Sequence, residues 1–248
     1  MKGLLLFFIL LKISHIHSQQ NHSSFDYWKK KYSVLVTYNK DSAFYCAKKA
    51  LSIAEKSENT KNIAEGYFFV GKSYLSKEES DESIIWFNKA LTLAQTNALD
   101  SIMSATYDRL GSSLAKKENY SEALNYYYKG LKIAKQKKYF ELEADILTGI
   151  AYTYYSKNDF NNSIINYNNS IAISTKINHK KSLFFAYNGL GCLYVQQENS
   201  ELAISNLENA LLIAKQLNDN NKIYQAYSNL VNAELNQKKL ILTKRCFI

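Results

Sequence analysis

Any chemistry in this 248-residue chain would have to start from four histidines, three cysteines and a few clustered carboxylates. His15, His17, His22 and His179 share no ligand spacing with Cys46, Cys192 or Cys246, and no HExxH, CxxC, GxSxG or Walker-type glycine loop occurs. His179 sits in the polar stretch Asn178-His179-Lys180, which predicts a solvated ring. Glu78-Glu79 and the Glu141/Glu143 pair read as solvated carboxylates on turns or exposed faces, not as an acid–base couple. An odd number of scattered cysteines makes no disulfide framework, and Cys46 and Cys192 read as small buried apolar residues. The expectation is a chain with no catalytic residue, no metal and no cofactor, one that acts by binding.

The elements that could present a binding surface are helical. Hydrophobic residues make up 46% of the chain, a globular share, while eight glycines and no proline are too few for the turns of a sandwich or barrel. The formal charge is +9, yet only Arg109 and Arg245 among 31 cations are arginine. Arginine supplies the bidentate contacts of phosphate and guanine recognition, so a Lys-rich solvated surface is the reading and no nucleic-acid partner is expected. The Lys-rich stretch Lys129–Lys138 is placed on a solvated outer face for the same reason.

A period of forty residues runs through the chain. Lys49-Ala50-Leu51-Ser52-Ile53-Ala54 returns at 89–94, 129–134, 169–174 and 209–214 without an insertion. Further columns run Tyr67, Tyr107, Leu147, Tyr187, Tyr227 and Gly71, Gly111, Ala151, Gly191, Val231. Each unit holds two apolar stripes with the three-and-four spacing of a helix face. The first is Ile63, Ala64, Tyr67, Val70, Gly71 and Tyr74; the second is Ser83, Ile84, Phe87, Ala90, Leu91 and Ala94. The pattern predicts that Gly71 and its equivalents face the small column Ser83, Ala123, Ser163, Ala203. The large column Phe87, Tyr127, Tyr167, Leu207 should then fill the gap to the next pair.

The order aromatic, large apolar, Gly, Tyr, Ala, large, Ala resembles the tetratricopeptide repeat, most clearly in Tyr187, Leu190, Gly191, Tyr194, Ala203, Leu207 and Ala210. That family's period is about 34, so this chain is similar to a longer-helix variant found in bacterial sensor and regulator proteins. The Asp41–Leu51 stretch resembles the motif that often opens such arrays. The resemblance implies an all-α, right-handed superhelical solenoid of antiparallel helix pairs. The units would be 24–57, 61–98, 101–138, 141–178 and 181–218, with an incomplete sixth at 221–248. It also implies a concave face lined by the first helix of each unit. The lining residues would include Phe68, Lys72, Asp108, Ser112, Tyr152, Tyr155, Phe185 and Asn188. The Lys and Asn pattern of the family's carboxylate-clamp subgroup is missing from these columns. The aromatic centre, Tyr152, Tyr155 and Phe185, either anchors a peptide or protein partner or packs between repeats.

The two ends carry separate expectations. Gly3–Leu11 is an apolar run of nine residues between Lys2 and Lys12, too short for a membrane span of about 20. It reads as a secretory signal peptide over 1–18, which makes the mature chain exported, periplasmic or secreted, with no stable membrane span. At the other end 221–236 should form a first helix; the repeat would begin a second helix near 241, but neither composition nor length starts one there, so 237–248 should pack poorly. An uncapped last repeat would favour self-association or partner docking. Two functions fit: an exported scaffold that works through its concave face, or the sensor portion of a signalling protein whose kinase or DNA-binding module is missing.

Overall fold

The computed structural model describes the backbone of residues 24–246 and the side chains through Lys238. The signal-peptide segment 1–18 lies outside the described residues. The chain divides into two compact units, Met1–Lys117 and Glu118–Ile248. No strand occurs among the described residues.

The first unit contains α1 (Phe25–Leu35), α2 (Lys40–Lys56), α3 (Thr60–Ser76), α4 (Ser80–Thr96) and α5 (Asp100–Lys116). The second contains α6 (Tyr120–Lys137), α7 (Phe140–Ser156), α8 (Phe160–Ile177), α9 (Lys180–Gln196), α10 (Ser200–Leu217) and α11 (Asn220–Cys246). Within each unit every helix packs antiparallel on its neighbour in sequence, and helix starts keep the forty-residue register.

Some of the starts are capped by short polar side chains, while those after Glu79, Leu99, Asn119, Tyr139 and His179 are not. The carboxamide oxygens of Asn39, Asn59 and Asn199 accept from the backbone N–H three residues on, at 2.9, 3.0 and 3.2 Å. The ends turn without glycine. Nine residues, Glu58, Glu78, Ala98, Glu118, Lys138, Asn158, Asn178, Glu198 and Asn218, hold φ between 51° and 68°, one every twenty positions. After Ala98 the N–H of Leu99 reaches back to the Ala94 carbonyl at 2.9 Å, and Tyr139 does the same to Ala134, the closure of a left-handed helix stop. This geometry lets a chain without proline make every turn in two to four residues.

The cores are layers of small and large residues in repeat register. Ala50, Ala54, Ala90 and Ala94 are fully buried in the first unit, and Ala134, Ser170, Ser174, Ala210 and Ala214 in the second. The glycine column meets the small column, as the pattern suggested, where Ser163 donates to the Ala151 carbonyl at 2.9 Å. It also makes room for the large residue of the same pair: a Cβ on Gly71 would come within 2.7 Å of Phe87, and one on Gly191 within 2.4 Å of Leu207. Ser83 of the small column bonds Ser113 of the next pair at 2.7 Å. Tyr127 and Tyr167 do reach the following pair, where Gly149 and Gly189 receive them.

The end of the chain differs from the sequence expectation. No turn follows residue 236; α11 runs unbroken for 27 residues to Cys246. Gln237-Lys238-Lys239 contains neither glycine nor a capping Ser, Asn or Asp, so nothing stops the helix.

Candidate partner-binding face

First helices of successive pairs touch one another: α3 meets α5 in the first unit, and α9 meets both α7 and α11 in the second. The second helices do not draw together in this way, so the first helices gather on the inner side of each stack.

In the first unit this side is charged and largely committed to packing. Phe68 is half-buried against Phe69 and Phe87, with ring centroids at 6.0 and 5.8 Å. The Lys72 ammonium lies 5.7 Å from the rings of both Tyr32 and Phe68. Asp108 is buried, with its carboxylate 2.9 Å from Arg109, and Ser112 is half-buried. Tyr32 lies beneath. Burial pushes its phenol up to about 12, opposed by the neighbouring Ser73 hydroxyl and the Arg109 charge.

The second unit presents the aromatic face. Tyr152 on α7 is 54% exposed and Phe185 on α9 is 39% exposed, more than any core aromatic. Tyr152 and Tyr155 stand with ring centroids 6.4 Å apart, and Tyr155 also meets Phe160 at 6.3 Å. Burial raises the Tyr155 phenol, and Cys192 and Tyr152 close by add to it. The Cys192 thiol is raised by burial too. Phe185 belongs to a second group: it meets Phe184 at 5.3 Å, and the Lys222 ammonium lies 5.7 Å from its ring. Asn188 is buried and accepts from Asn229 of α11 at 2.9 Å. It joins two helices rather than reaching outward.

Two side chains depart from the sequence reading. Glu143 is buried, because it occupies the apolar column held by Ile63, Met103, Leu183 and Ile223 elsewhere. His179 is tied down rather than solvated. Its Nε2 lies 3.2 Å from Asp145, whose carboxylate also accepts from Lys181 at 2.8 Å and from Ser182. Serine and histidine both hold the carboxylate, so no proton relay from serine to histidine exists. The cluster joins α7 to the start of α9.

A signal for that cluster was present in the sequence. Lys29–Glu65, Asp41–Lys77, Asp81–Lys117 and Asp145–Lys181 are all ion pairs between residues 36 apart, one turn short of the forty-residue period. Among the described residues no group of three His, Cys, Asp or Glu is placed to hold a metal ion, and no helix is long and apolar enough to cross a membrane.

Comparison with known proteins agrees with this geometry. Models of the tetratricopeptide repeat match residues 64–97, 104–137 and 186–217. A Rap protein complexed with Competence and Sporulation Factor superposes with TM-score 0.76 at 16% identity, covering 89% of this chain and 66% of that one. NprR in complex with its cognate peptide NprX gives TM-score 0.64 at 18% identity over 82% of this chain and 59% of NprR. A signal transduction ATPase with numerous domains from Pyrococcus horikoshii, which carries a tetratricopeptide repeat sensor, gives 0.66 at 17% over 97% and 39%. This chain thus spans just under two thirds of the Rap chain and less of the other two. A search of curated protein sequences finds no match. The chain carries tetratricopeptide repeats over these three stretches and folds as an all-α solenoid of antiparallel helix pairs.

Proposed function

We propose that this protein is an exported, non-catalytic scaffold that binds a peptide or protein segment on the first-helix face of its second unit. The observation that carries the reading is the exposure of Tyr152 and Phe185 on that face. Both rings stand on neighbouring first helices, on the side where those helices gather, and exposed aromatics are the residue type that anchors partners. Tyr155 forms the floor beside Tyr152, and Asn188 sets the spacing of α9 and α11. In the first unit Phe68, Lys72 and Ser112 flank the corresponding strip, while buried Asp108 serves packing. Two structural neighbours of the same fold were solved with a bound factor or peptide, which supports a peptide-sized occupant.

Selection from a displayed peptide library, followed by calorimetry, tests this. Tyr152→Ala/Phe185→Ala should weaken selected peptides at least tenfold while the circular dichroism spectrum stays unchanged. Equal affinity for both folded proteins overturns it. Cell fractionation and N-terminal sequencing of the mature protein test export.

The likeness to a repeat array named as a sensor favours a second reading, the sensor portion of a signalling protein. Sequencing the gene region downstream of codon 248 decides between them: an in-register kinase or DNA-binding module supports the sensor.

A further inference from the structure

The helix α11 has two apolar faces. Ile223, Ala226, Leu230 and Ala233 turn inward and pack with α9 and α10. The other face carries Tyr224, Tyr227, Val231 and Leu235, which are 77%, 45%, 53% and 58% exposed. Its repeat equivalents on α9 are Phe184, Tyr187, Gly191 and Val195, which α10 covers; Phe184 is fully buried. Apart from the Lys215 ammonium of α10, 5.5 Å from the Tyr227 ring, nothing in the described chain covers the α11 face, because α11 continues straight where α9 turns back.

A helix seated as α10 is on α9 does not fit there. Leu207 closes on α9 so tightly that even a Cβ on Gly191 would lie 2.4 Å from it. The corresponding position on α11 is Val231, whose exposed side chain fills that space. The occupant must therefore differ from the repeat's own second helix.

We propose that the occupant is a second copy of this chain, packed antiparallel along α11. The stripe is self-complementary under a two-fold axis near residue 229. At about 1.5 Å rise per residue, Tyr224 of one copy stands opposite Leu235 of the other, and Tyr227 opposite Val231. Each large ring then meets an aliphatic side chain. Charge agrees with this register. The cation on the stripe, Lys238, falls opposite the start of the other copy's α11, where Asp219, paired with its own Lys222 at 2.5 Å, and the helix's backbone N–H groups stand. A parallel arrangement would instead set Lys238 against Lys238. The flanking residues Asn220, Ser228 and Asn232 are neutral and place no like charges across the axis.

Sedimentation velocity and light scattering on the full chain, with Cys246→Ser to remove the terminal thiol, test the proposal. The expected result is a concentration-dependent dimer that Val231→Lys weakens at least tenfold, while Val34→Lys, equally exposed on α1, leaves it intact. Under mild oxidation Ser228→Cys, next to the axis, should cross-link to itself, whereas Leu235→Cys should cross-link only when mixed with Tyr224→Cys. A monomer at every concentration, a dimer indifferent to Val231→Lys, or self-linking at residue 235 in preference to 228 each overturns it. Circular dichroism of each variant confirms that a lost dimer is not a lost fold.

Discussion

Replacing Ala98 with glycine should stabilise this protein. Ala98 holds φ at 52° in the turn between α4 and α5, where its Cβ crowds the following carbonyl. That crowding costs an L-residue about 1–2 kcal/mol. Glycine removes the cost but brings a looser unfolded chain, which takes back about 0.5–1 kcal/mol. The net gain is about 0.5–1 kcal/mol, or about 2–4 °C of melting temperature per kcal/mol for a chain of this size. No side-chain contact is lost, since Ala98 is exposed, and the Leu99 N–H to Ala94 carbonyl bond at 2.9 Å uses main chain alone. Asn178, at φ 54°, provides the control. Asparagine tolerates the left-handed region several-fold better than other L-residues, so Asn178→Gly should gain less than half as much. Urea titration followed by circular dichroism measures both. A neutral or destabilising Ala98→Gly, or an equal gain at both positions, would refute the assignment of strain to these turns.

Further expectations concern packing and titration. Gly189→Ala should cost about 1–3 kcal/mol in thermal melts although alanine favours a helix by about 1 kcal/mol, because the new Cβ would lie 2.3 Å from the buried Tyr167 ring. The Tyr32 hydroxyl is buried without a well-formed hydrogen bond, so Tyr32→Phe should be as stable as the parent at pH 7 or more so. Its raised pKa of about 12 means that the folded state keeps a proton that the unfolded chain releases above 10. Stability should therefore fall from pH 10 towards 12, and less steeply in Tyr32→Phe, as alkaline unfolding curves will show. The Lys222 ammonium and backbone N–H groups hold Asp219 below 3.8, so its contribution is present at neutral pH and lost on acidification below about 4. Acid titration of Asp219→Asn should show a flatter decline in that range.

The fold was legible because its information is periodic. Alanine and aromatic columns forty residues apart locate every helix pair, and the structure keeps that register from α2 through α11. Contacts between columns were less legible. Gly71 and Gly191 show only that something comes close, and the large residue of the same pair approaches there as well as the small column. His179 and Glu143 were misread for one shared reason. Local polarity suggested solvent, but a first helix is flanked by its own second helix and by neighbouring first helices, so an offset of 36 or an apolar column outweighs the nearest residues in sequence. The straight course of α11 was missed because the repeat pattern supplied a turn that the local residues do not encode.

The same geometry separates residues available for function from residues consumed by packing. On α9, Leu183, Phe184, Ala186, Leu190 and Leu193 are all buried, and the strip left to water holds Phe185 and the partly covered Cys192 and Val195. A strip this narrow can change without disturbing the columns that make the stack, so a shared fold leaves the partner open. Information about the partner must then lie in what the strip departs from. Because Tyr152 and Phe185 are already about half covered, the burial a partner completes is worth about 1 kcal/mol for each ring. Each ring rests on a neighbouring ring, Tyr155 or Phe184, and still leaves a large part of its surface in water. The second helices α8 and α10 expose aliphatic residues, Ile165, Leu202 and Leu212, whereas the side where first helices gather exposes rings, and it is the rings that mark the binding face.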